Sequence, residues 1–167
     1  LVRQHKAALY RFIRAHVGDA DEAYDVLQDT FIAAWSAIGR FDARRPFSAW
    51  VRRIALNKCR DWGRRRKVRR FFFTAESLDK ARAGVIPAAP TEASEEQAED
   101  EARAAQLEAA IAALPAPLKE PLILTAIDGL SHQAAGAILG LTPKAVEMRV
   151  YRARRILVET LQKQFHT

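Results

Sequence analysis

Five cations spaced along one segment, Arg52, Arg53, Arg60, Arg64 and Lys67, are the side chains of this chain best suited to grip a polyanion. The segment, Phe47 to Arg70, reads FSAWVRRIALNKCRDWGRRRKVRR. Drawn at about 100° per residue it places those cations on one side of a helix. Phe47, Trp50, Val51, Ile54 and Trp62 fall opposite, and Asn57 lies on the border. Such a helix docks by its apolar side and offers the other to nucleic acid, although most cationic helix faces are merely solvated and other features of the chain must decide. Lys58 projects from the middle of the apolar side and must snorkel or find a partner.

A second set of side chains with recognition chemistry lies near the C-terminus. Lys144, Met148, Tyr151, Arg152 and Arg155 share one side of a predicted last helix, through about Leu161, while Val146, Val150, Ala153 and Leu157 share the other. Arg can bind guanine bidentately, Tyr and Met can touch thymine methyls, and Lys or Arg can hold phosphates. Glu147 flanks this surface, where it could accept from cytosine or repel phosphate. Ahead of it, Ser131 is placed to cap a short helix ending at Leu139, and GLTP at 140–143 turns the chain, with Thr142 as cap and Pro143 in the first turn. A short helix, a turn with glycine and a longer basic helix fit a helix-turn-helix, whose second helix enters the major groove. The alternative is an ordinary amphipathic helix in a bundle. The short helix is weak by itself: no capping-box acid follows Ser131, and Gly136 costs about 1 kcal/mol relative to Ala. Tertiary packing must hold it, and His132 reads as a surface residue.

The remaining sequence must position these two sets. With 167 residues the chain can form one ordinary domain or two small ones. Its formal charge of +7 favours a polyanionic partner. Basic and acidic residues number 17 and 7 over residues 1–70, 3 and 8 over 71–106, and 7 and 5 over 107–167, which divides the chain into a basic unit, an acidic connector and a mildly basic unit. Cys59 is the only cysteine, so neither an intramolecular disulfide nor a cysteine-rich zinc site can form, and it reads as a small semi-buried filler in a reducing compartment. No apolar run approaches a membrane span and no secretory signal is visible, so a soluble, cytoplasmic protein is expected. The chain opens at Leu1 rather than Met, which leaves room for native residues ahead of it.

Periodicity predicts a first helix over Leu1 to Val17 with Leu9, Phe12, Ile13 and Val17 inward, stopped and recapped by GDAD at 18–21. A second helix to about Ile38 buries Ala23, Leu27, Phe31, Ala34 and Ile38 and turns Asp25, Gln28, Asp29, Ile32 and Ser36 outward. Ile32 among carboxylates is either one exposed aliphatic residue or part of a docking surface. In the loop GRFDARRP at 39–46, Phe41 has no helical stripe to join. Phe71, Phe72 and Phe73 are expected to cap the first unit's core. A connector containing VIPAAPTEASEE follows, whose composition argues against a packed core. Helical patterning resumes near Ser94 with Leu107, Ile111 and Leu114 inward. Pro115, Pro117 and Pro121 then break or restart the helix, and Asp128-Gly129 forms a turn. Strand-like alternation is missing throughout, so the fold class is all-α. Scattered histidines, no metal-ligand spacing, no phosphate-cradling glycine loop and no nucleophile beside a base argue against an enzyme acting on nucleic acid.

Three stretches, DVLQDTFIAAW at 25–35, FSAWVRRIALNKCRDWGRR at 47–65 and LPAPLKEPLILTAIDGLSHQAAGAILGLTPKAVEMRVYRARRIL at 114–157, together resemble bacterial sigma factors, and more narrowly the extracytoplasmic-function (ECF) group. The resemblance implies two small helical domains, a region 2 bundle over 1–73 and a region 4 helix-turn-helix over 101–167, joined by a flexible acidic linker over 74–100 that threads toward the RNA exit path. It implies a transcription initiation factor without catalytic activity, cofactor or metal, with core RNA polymerase (β′ clamp helices and β subunit), promoter DNA and an anti-sigma protein as partners. Asp25, Gln28, Asp29, Ile32 and Ser36 match the family's polymerase-docking face, together with Trp35, while Phe31 is expected in the core. Phe41 and Asn57 match positions that capture a base of the opened minus-ten element, with Arg52, Arg53, Arg60, Arg64 and Lys67 following phosphates and Trp50 and Trp62 packing. Lys144, Glu147, Met148, Tyr151, Arg152 and Arg155 fall on the surface that reads the minus-thirty-five element. Glu147 and Met148 stand where relatives often carry basic or small polar residues, and Ala134 and Ala135 also depart from the pattern, so the promoter sequence does not follow. A stand-alone helix-turn-helix regulator would explain residues 107–167 but would leave Phe41, Asn57 and the acidic outer face without a role.

Overall fold

Residues 2–76 and 95–165 are described by the computed structural model, and within them every regular element is helical. The Ala, Pro and Glu-rich connector and the side chain of Phe73 lie outside the described residues.

Helix α1 (Val2–Val17) buries Leu9, Phe12, Ile13 and Val17 as its periodicity predicts. Gly18, at φ +81°, turns the chain in a conformation that suits glycine, and Asp19 accepts from Glu22 N to start α2 (Ala20–Ala37). α2 buries Ala23, Val26, Leu27, Thr30 and Ala34, and the Thr30 hydroxyl is satisfied by the Val26 carbonyl at 2.7 Å. Phe31 is half-buried against this core. Ile38 is exposed rather than buried, because α2 gives way to a tighter 3-10 turn, Ile38–Arg40, that rotates it off the stripe.

Helix α3 (Phe47–Glu76) crosses both, burying Val51, Ala55, Leu56 and Cys59. Its indole Trp62 Nε1 donates to Glu22, tying α3 to the first turn of α2. Burial pushes the Cys59 thiol up to about 12, so it stays protonated and inert. The expected aromatic cap is not formed at Phe71 and Phe72, which are exposed. α3 has thirty residues to the eighteen of α2, an excess of about 18 Å, and its last turns run beyond the helices that could cover them.

In the second unit, α4 (Glu95–Ala113) packs mainly by its last turns, through Ala110 and the following Leu114, while Leu107 is exposed, against expectation. α5 (Ala116–Leu122) continues into one π-helical turn, Ile123–Ile127, with Pro121 inside the run rather than ending it. α6 (His132–Leu139) starts at Ser131, whose hydroxyl accepts from Ala134 N, and stops at Gly140, φ +70°. Helix α7 (Pro143–Phe165), capped by Thr142, is longer than predicted and buries Val146, Val150, Ala153 and Leu157. Gly136 has a structural reason. A Cβ there would stand 2.5 Å from the Leu141 carbonyl oxygen, and the Gly136 carbonyl accepts from Leu141 N at 2.9 Å, so the turn between α6 and α7 closes only over glycine.

Candidate nucleic-acid interface

The cations of helix α3 differ in what engages them. Arg53, Asn57 and Arg64 lie at i, i+4 and i+11 and are exposed, with Arg64 paired to Asp61 one turn earlier. Arg52, Leu56 and Arg60 lie at i, i+4 and i+8, and this edge meets the second unit. Arg60 Nε and Nη2 bind the two oxygens of Glu120 at 2.7 and 2.6 Å, a bidentate pair whose carboxylate is almost wholly buried. Arg52 Nε binds Asp128 Oδ2 at 2.7 Å, with only 15% of the arginine side chain and 4% of the aspartate exposed. The hydrogen bonds that Arg60 donates to Glu120 favour its charged form. Lys67 is exposed.

Phe41 is not isolated in its loop. Its ring meets Phe47 edge-on at 5.5 Å and Trp50 at 5.1 Å between centroids, so the loop is pinned to the start of α3. Trp50 and Asn57 are seven residues apart and share a strip of the helix. The half-buried Phe41 ring and the exposed Asn57 amide therefore flank the same edge as Arg53. Lys58 is half-buried, which fits a side chain that lays its stem on apolar surface.

The outer face of α2 presents Asp25, Gln28, Asp29, Ile32 and Ser36 to solvent, with the Ser36 hydroxyl turned back to the Ile32 carbonyl. Trp35 extends this face and is 81% exposed, with Ile32 at 65%. Its place on the outer arc was readable from periodicity, since it lies three residues from Ile32 and seven from Gln28.

In the second unit, Lys144, Glu147, Met148, Tyr151, Arg152 and Arg155 are all exposed along α7. Glu147 is engaged by Lys144 at 2.9 Å, which holds its carboxyl below the usual carboxylate range. Arg155 pairs with Glu159 at 3.6 Å. Met148, Tyr151 and Arg154 line a groove of about 720 Å³ together with Leu130 and His132 of the preceding turn and helix. Arg154 lines this groove although the face analysis did not single it out.

Two family models match, sigma-70 region 2 over residues 1–69 and sigma-70 region 4 over residues 104–157. The chain is 44% identical over 159 residues to the RNA polymerase sigma factor CnrH of Cupriavidus metallidurans, covering 92% of this chain and 81% of that protein. The chain belongs to the sigma-70 family, in its ECF group. Among solved structures, CnrH in complex with the cytosolic domain of CnrY superposes with a TM-score of 0.67 at 34% identity, over 97% of this chain and 85% of that one. The Bartonella quintana sigma factor RpoE in complex with the anti-sigma factor NepR superposes with a TM-score of 0.69 at 25% identity, over 96% and 94%.

As an ECF sigma factor the protein acts in promoter-directed transcription initiation. One basic surface lies within each matched region, α3 in the first and α7 in the second. Two contributors escaped the sequence reading, Glu120 and Asp128. They are separated from their arginines by 60 and 76 residues, and no local pattern marks either as a partner. A further link is Lys119, whose Nζ donates to the His16 carbonyl at 3.0 Å and the Ala112 carbonyl at 2.8 Å near the C-termini of α1 and α4. Burial lowers the Lys119 pKa, and the two carbonyl oxygens stand in for lost water. Beside it, His16 donates from Nδ1 to the Phe12 carbonyl, while its Nε2 is buried with no partner among the described residues, and burial lowers its pKa to about 4. No helix among the described residues is long and apolar enough to cross a membrane.

Proposed function

We propose that this sigma factor docks on core RNA polymerase through the outer face of α2, with Asp25, Gln28, Asp29, Ile32 and Ser36 against the β′ clamp helices and Trp35 at the centre of the contact. The observation that carries this reading is the exposure of Trp35 and Ile32 next to Asp29 and Asp25, an apolar patch flanked by carboxylates on its N-terminal side. Once docked, the factor opens the minus-ten element. Extruding a base costs a few kcal/mol, stacking returns roughly 1–3 kcal/mol, and an amide can both donate to and accept from a Watson-Crick edge. Phe41 and Asn57 supply the ring and the amide, and Arg52, Arg53, Arg60, Arg64 and Lys67 follow the phosphates of the opened strand.

The exposed side of α7 reads duplex upstream, with Arg152, Tyr151 and Met148 at base edges and Lys144 and Arg155 toward phosphates. Glu147 acts through its pair with Lys144, setting that cation's position. The protein itself carries out no covalent chemistry and works in the cytoplasm. The two superposed sigma factors were solved with CnrY and with the anti-sigma factor NepR, which supports control of this chain by an anti-sigma protein of comparable kind.

The test is run-off transcription with core polymerase and a library of genomic promoter fragments, which reports activity and both promoter elements together. Asp29→Arg is expected to weaken core binding at least about tenfold, roughly 1.4 kcal/mol, without lowering the melting temperature. An unchanged affinity would remove α2 from the polymerase interface.

A further inference from the structure

Two of the cations assigned to the opened strand are already occupied by carboxylates of the other unit. Arg60 is held bidentately by Glu120 at 2.6 and 2.7 Å, and Arg52 by Asp128 at 2.7 Å. The Arg60 geometry is the one an arginine adopts with phosphate, two parallel N–H donors on two oxygens of one anion, while Arg52 makes a single bond through Nε. The carboxylates come from different places, Glu120 from inside α5 and Asp128 from the turn after the π-helical segment, yet both aim at the edge Arg52, Leu56, Arg60. Exposure is lopsided in the bidentate pair: Glu120 is 8% exposed while Arg60 is 41% exposed. The carboxylate is thus built into the second unit, and the arginine can leave it.

We propose that Glu120 and Asp128 form an ionic latch that closes the second unit over one edge of α3, so that single-stranded DNA must displace two carboxylates to reach Arg60 and Arg52. The proposal rests on the reading that α3 follows the opened strand. Three further contacts hold the same closure without engaging that edge: Arg14 with Glu108 at 3.4 Å, Lys119 on the His16 carbonyl, and the approach of Gly18 to Ala112, where an added Cβ would come within 2.8 Å. The latch therefore sets when the cations become available, while these contacts set where the second unit sits. An unbound sigma factor would keep Arg53 and Arg64 open to solvent and Arg52 and Arg60 withdrawn. Nonspecific strand binding before polymerase docks is thereby reduced.

The apparent affinity of a ligand falls by the fraction of protein in the competent state, so releasing the latch raises it by the inverse of that fraction. The full chain carrying Glu120→Gln and Asp128→Asn is compared with the parent by small-angle X-ray scattering and by anisotropy with a fluorescein-labelled oligothymidylate. The expected result is a larger radius of gyration and about tenfold tighter oligonucleotide binding with helicity retained. Unchanged dimensions and unchanged affinity in the folded variant would overturn the latch. An expanded variant with unchanged affinity would overturn the competition, and would place the error in the strand-binding reading of α3 rather than in the latch. Should the double variant lose helicity, the exchange Arg60→Glu with Glu120→Arg decides: it must be more compact than Arg60→Glu alone, and equal dimensions would overturn the proposal.

Discussion

Helices α3 and α7 each bury an apolar stripe and turn basic residues outward, but their basic surfaces are in different states. On α7, Lys144, Met148, Tyr151, Arg152 and Arg155 face solvent, and the acids near them, Glu147 and Glu159, belong to the same helix. Such pairs three and four residues apart are weak and exchange readily with phosphate. On α3, Arg52 and Arg60 are bound by acids 76 and 60 residues away whose side chains are nearly buried. On the proposed reading, the surface for duplex DNA is left ready, whereas the edge for an opened strand is covered. The order suits initiation, since duplex is present from the start and single strand appears only after melting.

The largest expected effect breaks the ready surface. Gly136→Ala puts a methyl group 2.5 Å from a backbone oxygen that cannot move without opening the α6–α7 turn. The loss should be about 3 kcal/mol of stability in the second unit, seen as a lower urea midpoint, with loss of duplex binding. A variant as stable as the parent would mean that the turn is looser than its hydrogen bond from Leu141 N to the Gly136 carbonyl indicates.

Nearly as large an effect is expected at the joint between the units, where His16 lies beneath Lys119. The folded pKa is about 4 against an ordinary 6.5, so between these values the unfolded chain takes up a proton that the folded one refuses. Stability is therefore full above pH 6.5 and falls as pH drops toward 4, by about 3 kcal/mol at most. Urea unfolding across that range should show the decline, and His16→Phe should flatten it. A parent profile already flat between pH 6.5 and 4 would show that water reaches Nε2.

The two regions also differ in how much of them could be read from sequence, and the reason is range. Ser131, Gly140, Thr142 and Pro143 act within three or four residues, so the helix-turn-helix and the exposed face of α7 were legible from spacing alone. The buried stripes of α1 and α7 were legible for the same reason. Ile38, Phe71, Phe72 and Leu107 were misplaced because an apolar residue in register is buried only if another element reaches it, and helix lengths and the 3-10 turn decide that. Phe41 seemed unpartnered because its partners, Phe47 and Trp50, belong to the next helix. The partners of Arg52 and Arg60 lie in a different unit, beyond any periodicity. The outer face of α2 was outlined correctly as exposed, but exposure of Asp25 to Ser36 by itself does not identify what binds there.

A moderate effect tests the recognition surface directly. Arg152→Ala should weaken binding to duplex carrying the upstream element by about 2 kcal/mol while changing binding to unrelated duplex much less. Fluorescence anisotropy with both duplexes in the presence of core polymerase separates base reading from phosphate attraction. Equal losses on the two duplexes would make Arg152 a phosphate contact and shift base reading toward Tyr151 and Arg154.

The smallest effect sharpens the comparison within α3 itself. Arg64 is exposed and its partner Asp61 is on its own helix, so Arg64→Ala should remove one phosphate contact at little structural cost. The salt dependence of binding to single-stranded DNA should then flatten by about 0.7 in the log–log slope. Arg60→Ala should flatten the slope similarly, because it too deletes a cation, but it also leaves Glu120 buried without its arginine and loosens the closure over Arg52. Its loss of affinity at a fixed low salt should consequently be smaller than that of Arg64→Ala, even though both remove one positive charge. Equal losses from the two substitutions would mean that the latched and unlatched cations of α3 meet DNA on equal terms, and that the carboxylates of the second unit do not compete for it.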